Sequence, residues 1–178
     1  MKHTLIVMCG PSGVGKSYLA NKIQETHEDC VIVSRDKIRF ALLNDDDDYF
    51  QYEKQVANNF YHAITTNLKN HRYVIADATH ITIGSRNKLF ANIELGDTDD
   101  IVAVWIEVPI QTALKQNAVR TGRARVPEDV IKNMYKNKVS PHDSECFSKI
   151  IFVNPEQDLA LGTGEANFRR VIDRLSSI

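Results

Sequence analysis

The chain is short of most of what would place it outside an ordinary reducing compartment. It has only three cysteines, Cys9, Cys30 and Cys146, an odd number with no Cys-x-x-Cys pair, so neither a disulfide framework nor a paired-cysteine metal site is expected. No apolar run nears the roughly 20 residues that a membrane-spanning helix needs, and the start, MKHTLIVMCG, lacks the charged, apolar and small-residue blocks of a secretion signal. A net charge of -1 argues against a protein that grips long stretches of phosphate backbone, although a short nucleic-acid end or a small molecule stays open as a ligand. With no membrane partner expected and no clue to oligomeric state, these features suggest a soluble, cytoplasmic protein.

What is present is a regular alternation. Apolar runs rich in Ile and Val recur at 4–8, 31–33, 73–76, 101–108 and 150–153. Segments of helical spacing lie between and after them, at about 16–26, 36–43, 49–69, 83–93, 110–120, 127–138 and 165–175. Strands alternating with helices predict one α/β domain over 1–178: a mostly parallel five-stranded sheet covered on both faces. In such a sheet, ligands bind beyond the carboxyl ends of the strands, so the loops there carry the functional information. The acidic run Asp45–Asp48 reads as a solvated connection.

The first of those loops, Gly10-Pro-Ser-Gly-Val-Gly-Lys16-Ser17, satisfies G-x-x-x-x-G-K-[ST] between an apolar strand and a helical pattern. Glycines let the backbone wrap phosphates with its N–H groups, and the following helix adds the positive end of its dipole. This predicts a P-loop NTPase or kinase fold that binds ATP and Mg2+. Gly10, Ser12, Gly13, Val14, Gly15, Lys16, Ser17 and Tyr18 are expected at the ATP. Lys16 supplies charge at the β and γ phosphates, and the Ser17 hydroxyl goes to the metal.

Three later segments narrow the chemistry. Asp36 and Arg39 follow the second predicted strand, where a carboxylate can either accept a hydroxyl's proton or cap the next helix. Asp77, Thr79 and His80 follow the third; Asp77 ends its strand as an acid near Mg2+ or the attacking hydroxyl does, whereas His80 could act as a general acid or base, although a lone histidine there is more often a surface or packing residue. Arg120, Arg123 and Arg125 flank Gly122 between two helices, over about 120–127, a composition suited to an arginine-rich lid closing on phosphate.

Taken together, Leu5 to Val139 resembles the kinase domain of bacteriophage polynucleotide kinase and its bacterial RNA-repair relatives. The similarity runs through Arg35-Asp36-x-x-Arg39, Asp77-x-Thr79 and Val108-Pro109. It extends to Asn117 and Arg120 before a basic loop, and to Val126-Pro-Glu-Asp-Val-Ile-Lys-Asn-Met-Tyr135. The resemblance implies that Asp36 is the general base on a 5′-hydroxyl, that Arg39 orients the acceptor's terminal phosphate and that Arg120 clamps the donor. It further implies Asp77 and Thr79 on the substrate side, with Arg123 and Arg125 as lid arginines on ATP. Two departures stand out: one extra residue between Arg120 and Val126, and Gln116 where relatives often carry arginine. The expected partner is a 5′-hydroxyl end of DNA or RNA. A small-molecule hydroxyl is the alternative, because donor machinery is shared and only the acceptor pocket separates the two. A guanine-nucleotide switch fits poorly, since no Asn-Lys-x-Asp occurs.

Overall fold

A computed structural model describes residues 2–97 and 99–155. Five strands are described, β1 (Thr4–Cys9), β2 (Cys30–Ser34), β3 (Tyr73–Asp77), β4 (Asp100–Ile106) and β5 (Lys149–Val153). The helices are α1 (Lys16–Thr26), α2 (Arg35–Leu42), α3 (Glu53–Leu68), α4 (Ile83–Phe90), α5 (Ile110–Ala118) and α6 (Glu128–Asn137). The strands form one sheet in the order β2-β3-β1-β4-β5, and every neighbouring pair is parallel. This is the expected α/β architecture. The expected helix at 165–175 lies outside the described residues.

The central strand shows why the sheet needs two covered faces. All six residues of β1 are buried, and they alternate between two cores. Ile6 and Met8 pack with Leu19, Ala20, Ile23 and Ala113 from α1 and α5, while Leu5, Val7 and Cys9 pack with Phe60, Ile64 and Leu89 from α3 and α4. A strand buried on both sides reads as an unbroken apolar run, which is how it stands in the sequence.

Boundaries moved where local chemistry intervened. The helix expected from Tyr49 starts at Glu53, because residues 49–52 are turns, with Phe50 N–H bonded to the Asp48 carboxylate at 2.9 Å. The strand expected to run to Val108 stops at Ile106, short of Pro109.

Parallel order brings the ends of β1, β2, β3 and β4 to one edge. In register, Met8 and Ser34 both face Asp77 on β3, and Cys9 faces Trp105 on β4. The loop after β1 emerges where the strand order reverses direction, with β3 on one side and β4 on the other.

Candidate functional site

The phosphate loop is held open by glycines at backbone angles that side chains resist. Gly10 has φ 143°, and a Cβ there would lie 2.7 Å from the Ile106 carbonyl oxygen. Gly13 has φ 87°, and its Cβ would lie 2.4 Å from the Ala113 carbonyl oxygen, so α5 itself forbids a larger residue. Gly10 N–H donates to the Thr79 carbonyl at 2.9 Å, tying the loop to the segment after β3. Val14 is buried in the core and fixes the loop from beneath. Ser12 N–H points at the Met134 sulfur, 3.5 Å away on α6.

Helix α1 begins at Lys16 with no side-chain cap and no acid in its first turn, so its first N–H groups and positive dipole end face the loop. Lys16 is itself buried, and its ammonium donates to the Pro11 carbonyl at 2.6 Å. Burial pushes its pKa down to about 8. The nearby Asp77 and Asp36 carboxylates oppose that shift, and Arg120 reinforces it. Lys16, the Asp77 and Asp36 carboxylates and Arg120 thus converge within electrostatic reach. Tyr18, the next residue but one, is exposed on the outer side of α1.

Ser17 donates its hydroxyl to the Asp77 carboxylate at 2.8 Å. Burial raises the Asp77 pKa, against the pull of Ser17 and Lys16. One hydroxyl and one carboxylate form a minimal oxygen set of the kind that holds Mg2+ together with substrate phosphates and water. The donor chemistry fits that ion.

The end of β2 carries Asp36 into the first turn of α2. The cap of α2 is Ser34, whose hydroxyl accepts the Lys37 N–H at 3.4 Å, so Asp36 is free of that duty. Its side chain is 65% exposed and accepts one Arg39 bond at 2.6 Å. Arg39 is buried, donates to Glu53 at 2.7 Å and to the Tyr49 hydroxyl at 3.2 Å, and keeps its Nε without a partner among the described residues. Arg35 pairs with the other Glu53 oxygen. Burial works against the Glu53 charge, yet its two arginine partners hold the carboxyl below the ordinary range.

The segment between α5 and α6 is closed like a purse by one asparagine. Asn117 is buried, donates to the Val126 carbonyl at 2.7 Å and accepts the Val126 N–H at 3.0 Å, so both ends of the arginine-bearing loop are pinned to one side chain. Arg123, on the short 3-10 turn Gly122–Ala124, donates to the carbonyls of Asn44 (2.8 Å), Asp45 and Asp47 (3.0 Å). That places its Nη2 against the acidic connection. Arg125 is exposed and Arg120 half-buried.

Two residues acquire meaning only in three dimensions. His80 sits at φ 40°, buried against Phe60, with its ring bonded to the Met8 carbonyl at 3.0 Å; burial pushes its pKa down to about 4, which makes it a neutral packing residue. Arg86, which sequence reasoning missed, is fully buried. It forks onto Glu145 at 2.7 and 2.8 Å and reaches the carbonyls of His80 (3.1 Å) and Val139 (2.9 Å). It thereby fastens the segment after α6 beneath the strand ends. Nothing in the spacing around Arg86 signalled this, because Glu145 and Val139 lie more than 50 residues away.

Comparison with known proteins places this geometry. A family model described as an AAA domain matches residues 5–141. No curated protein matches the chain in sequence. Among solved structures, the chain is similar to one from the Pnkp1/Rnl/Hen1 RNA repair complex, at 24% identity and TM-score 0.66, covering 76% of this chain and 44% of that one. The match thus spans under half of the repair-complex chain. It is also similar to a gluconokinase from Sinorhizobium meliloti 1021, at 16% identity and TM-score 0.59, covering 98% and 92%. A fungal RNA kinase aligns at 14% identity and TM-score 0.65, covering 99% and 86%. Likeness at these identities speaks for a shared fold.

Proposed function

From the premise that this chain belongs to the AAA-domain family matched over residues 5–141, and has a P-loop kinase fold, we propose that it transfers the γ-phosphoryl group of ATP to a 5′-hydroxyl end of DNA or RNA. The observation that carries the acceptor assignment is the exposed Asp36 carboxylate paired with buried Arg39 at the strand edge beside the glycine loop. Fold likeness to a chain of an RNA repair complex and to an RNA kinase supports the same reading.

In this reading the loop backbone, the start of α1 and Lys16 hold the β and γ phosphates, and Arg120 arrives from the lid to clamp them as water is excluded. Ser17 and Asp77 would hold Mg2+, which would offset the charge that grows on the phosphate oxygens during transfer. Asp36 accepts the proton of the attacking hydroxyl. That oxygen forms its bond to the γ phosphorus as the bond to the β–γ bridging oxygen breaks, with ADP leaving. Arg39 turns its fork to the first phosphate of the acceptor, which requires it to trade one of its carboxylate bonds for a phosphate oxygen. Three unpaired cysteines, with Cys9 buried and its pKa pushed up to about 12 by that burial, suit a reducing cytoplasm. Among the described residues, no helix is long and apolar enough to cross a membrane.

A small-molecule hydroxyl as acceptor is the second reading, favoured by the near-complete overlap with a gluconokinase and by the low net charge. Incubation with γ-labelled ATP and Mg2+ beside parallel panels of 5′-hydroxyl oligonucleotides and sugar acids decides between them. Label on oligonucleotides alone is the expected result; label on sugar acids alone overturns the proposal.

A further inference from the structure

Resting on the nucleic-acid reading above, we propose that Tyr49 and Phe50 form a stacking platform for an acceptor nucleobase, one that flanks the phosphate directed to Arg39. A single exposed aromatic ring is ordinary and needs no explanation. Here two neighbouring rings converge on one guanidinium. The Tyr49 and Phe50 ring centroids are 4.9 Å apart at an interplanar angle of 82°. The Arg39 guanidinium carbon lies 4.7 Å from the Tyr49 centroid and 5.9 Å from that of Phe50. An edge-to-face pair is not a stacked one, and Phe50 remains 64% exposed, so ring surface is left that no ring among the described residues covers.

The exposure is held in place. Phe50 N–H is bonded to the Asp48 carboxylate at 2.9 Å, its carbonyl accepts the Glu53 N–H at 3.0 Å, and Gln51 N–H returns to the Asp48 carbonyl at 3.0 Å. Further back, Arg123 grips the carbonyls of residues 44, 45 and 47. A ring ordered beforehand loses little freedom when a ligand stacks on it. The cluster is joined to the chemistry through the Tyr49 hydroxyl, 3.4 Å from the Asp36 carboxylate, and through Arg39, which bonds the same carboxylate at 2.6 Å.

A nucleotide chain is the occupant whose chemistry uses all of these at once. Its 5′-hydroxyl meets Asp36, its phosphate meets Arg39, and a base offers a flat π-face to Phe50 whatever its identity. A sugar acid has the hydroxyl and an anionic group but no aromatic face to lay on the ring. The platform thus selects for nucleic acid and tolerates any base sequence.

The test compares Phe50→Ala, Phe50→Trp and the parent protein. Their substrates are 5′-hydroxyl oligonucleotides, either intact or carrying an abasic site at the first or second nucleotide, with KM for ATP as an internal control. The expected result is a rise in oligonucleotide KM of about 10-fold for Phe50→Ala, with Phe50→Trp restoring it. One abasic position should impose a similar penalty on the parent protein, and Phe50→Ala should add little to it. Equal damage on intact and abasic substrates would mean that the ring merely shields the Arg39–Glu53 pair, and an unchanged KM would mean that it does nothing; either overturns the platform. If the parent phosphorylates no oligonucleotide of any kind, the nucleic-acid reading fails and the platform goes with it.

Discussion

Ser17, at the start of α1, and Asp77, at the end of β3, are 60 positions apart in sequence and share a 2.8 Å hydrogen bond across the mouth of the glycine loop. The contact joins the phosphate-binding element to the neighbouring strand, and both oxygens are of the hard type that suits Mg2+. Asp77→Asn keeps an acceptor for Ser17 and removes the charge. We expect a Mg2+ requirement raised about 10-fold or more, with a kcat deficit partly recovered at high Mg2+. Mg2+ titrations that superimpose on those of the parent would remove Asp77 from the metal site.

Lys16 must carry its charge to hold phosphate, while burial has drawn its pKa down to about 8 in the folded protein. Because that value lies below the ordinary lysine one, the folded chain loses this proton as pH rises through about 8, before the unfolded chain does. The kcat/KM for ATP should therefore fall by about tenfold per pH unit above that point, whereas kcat, measured with phosphate already paired to the ammonium, should hold to higher pH. Lys16→Ala should abolish transfer and leave the fold intact. A flat profile to pH 10 would show that the ammonium does not stay buried as described.

For Asp36→Asn, the Ser34 cap of α2 is untouched and the amide oxygen can still accept the Arg39 bond, so the local fold should persist. ATP binding should persist while kcat falls by roughly 100-fold or more. Single-turnover transfer at the parent rate would disqualify Asp36 as the base.

The lid arginines should separate. Arg120→Lys should be nearly as damaging as Arg120→Ala, because lysine keeps charge but lacks the planar fork that holds two phosphate oxygens. Arg123 already commits its Nη2 to the carbonyls of residues 44, 45 and 47, so Arg123→Ala should mainly raise KM by loosening that loop. Arg125→Ala should cost least. Near-parent kcat in Arg120→Lys, with collapse in Arg123→Lys, would reassign the catalytic arginine to position 123.

Arg86→Ala leaves the Glu145 carboxylate unpaired at a site where its side chain is only 5% exposed. Removing one partner of such a pair costs about 3–5 kcal/mol, so a marked drop in the denaturation midpoint is expected. Activity well below that midpoint should survive, since Arg86 touches none of the residues assigned to ATP or acceptor. A midpoint within a degree of the parent would show that the fork contributes nothing net.

The local features were legible in the sequence because each is dictated by its neighbours. An all-apolar run declares a strand buried on both faces, and Gly-Lys-Ser after such a run declares the phosphate loop, since only glycine accepts the backbone angles at Gly10 and Gly13. Strand and helix alternation was enough to predict a parallel sheet with its ligand edge at the strand ends. What depended on distant partners was not legible. Whether His80 sat at the surface or in the core was decided by Phe60 and by the Met8 carbonyl, 72 positions away, and burial leaves it neutral. Arg86 is one cation among 22 in the sequence, and only its fork onto Glu145 and two carbonyls distinguishes it. Likewise Arg123 shares a basic loop with Arg120 and Arg125, yet it turns to the acidic connection. Backbone preference and burial pattern are properties of consecutive residues, and so the chain by itself determined strands, helices and the phosphate loop. Hydrogen bonds between charged side chains depend on which strand ends and loops the sheet order brings together, and that was decided only by the tertiary structure.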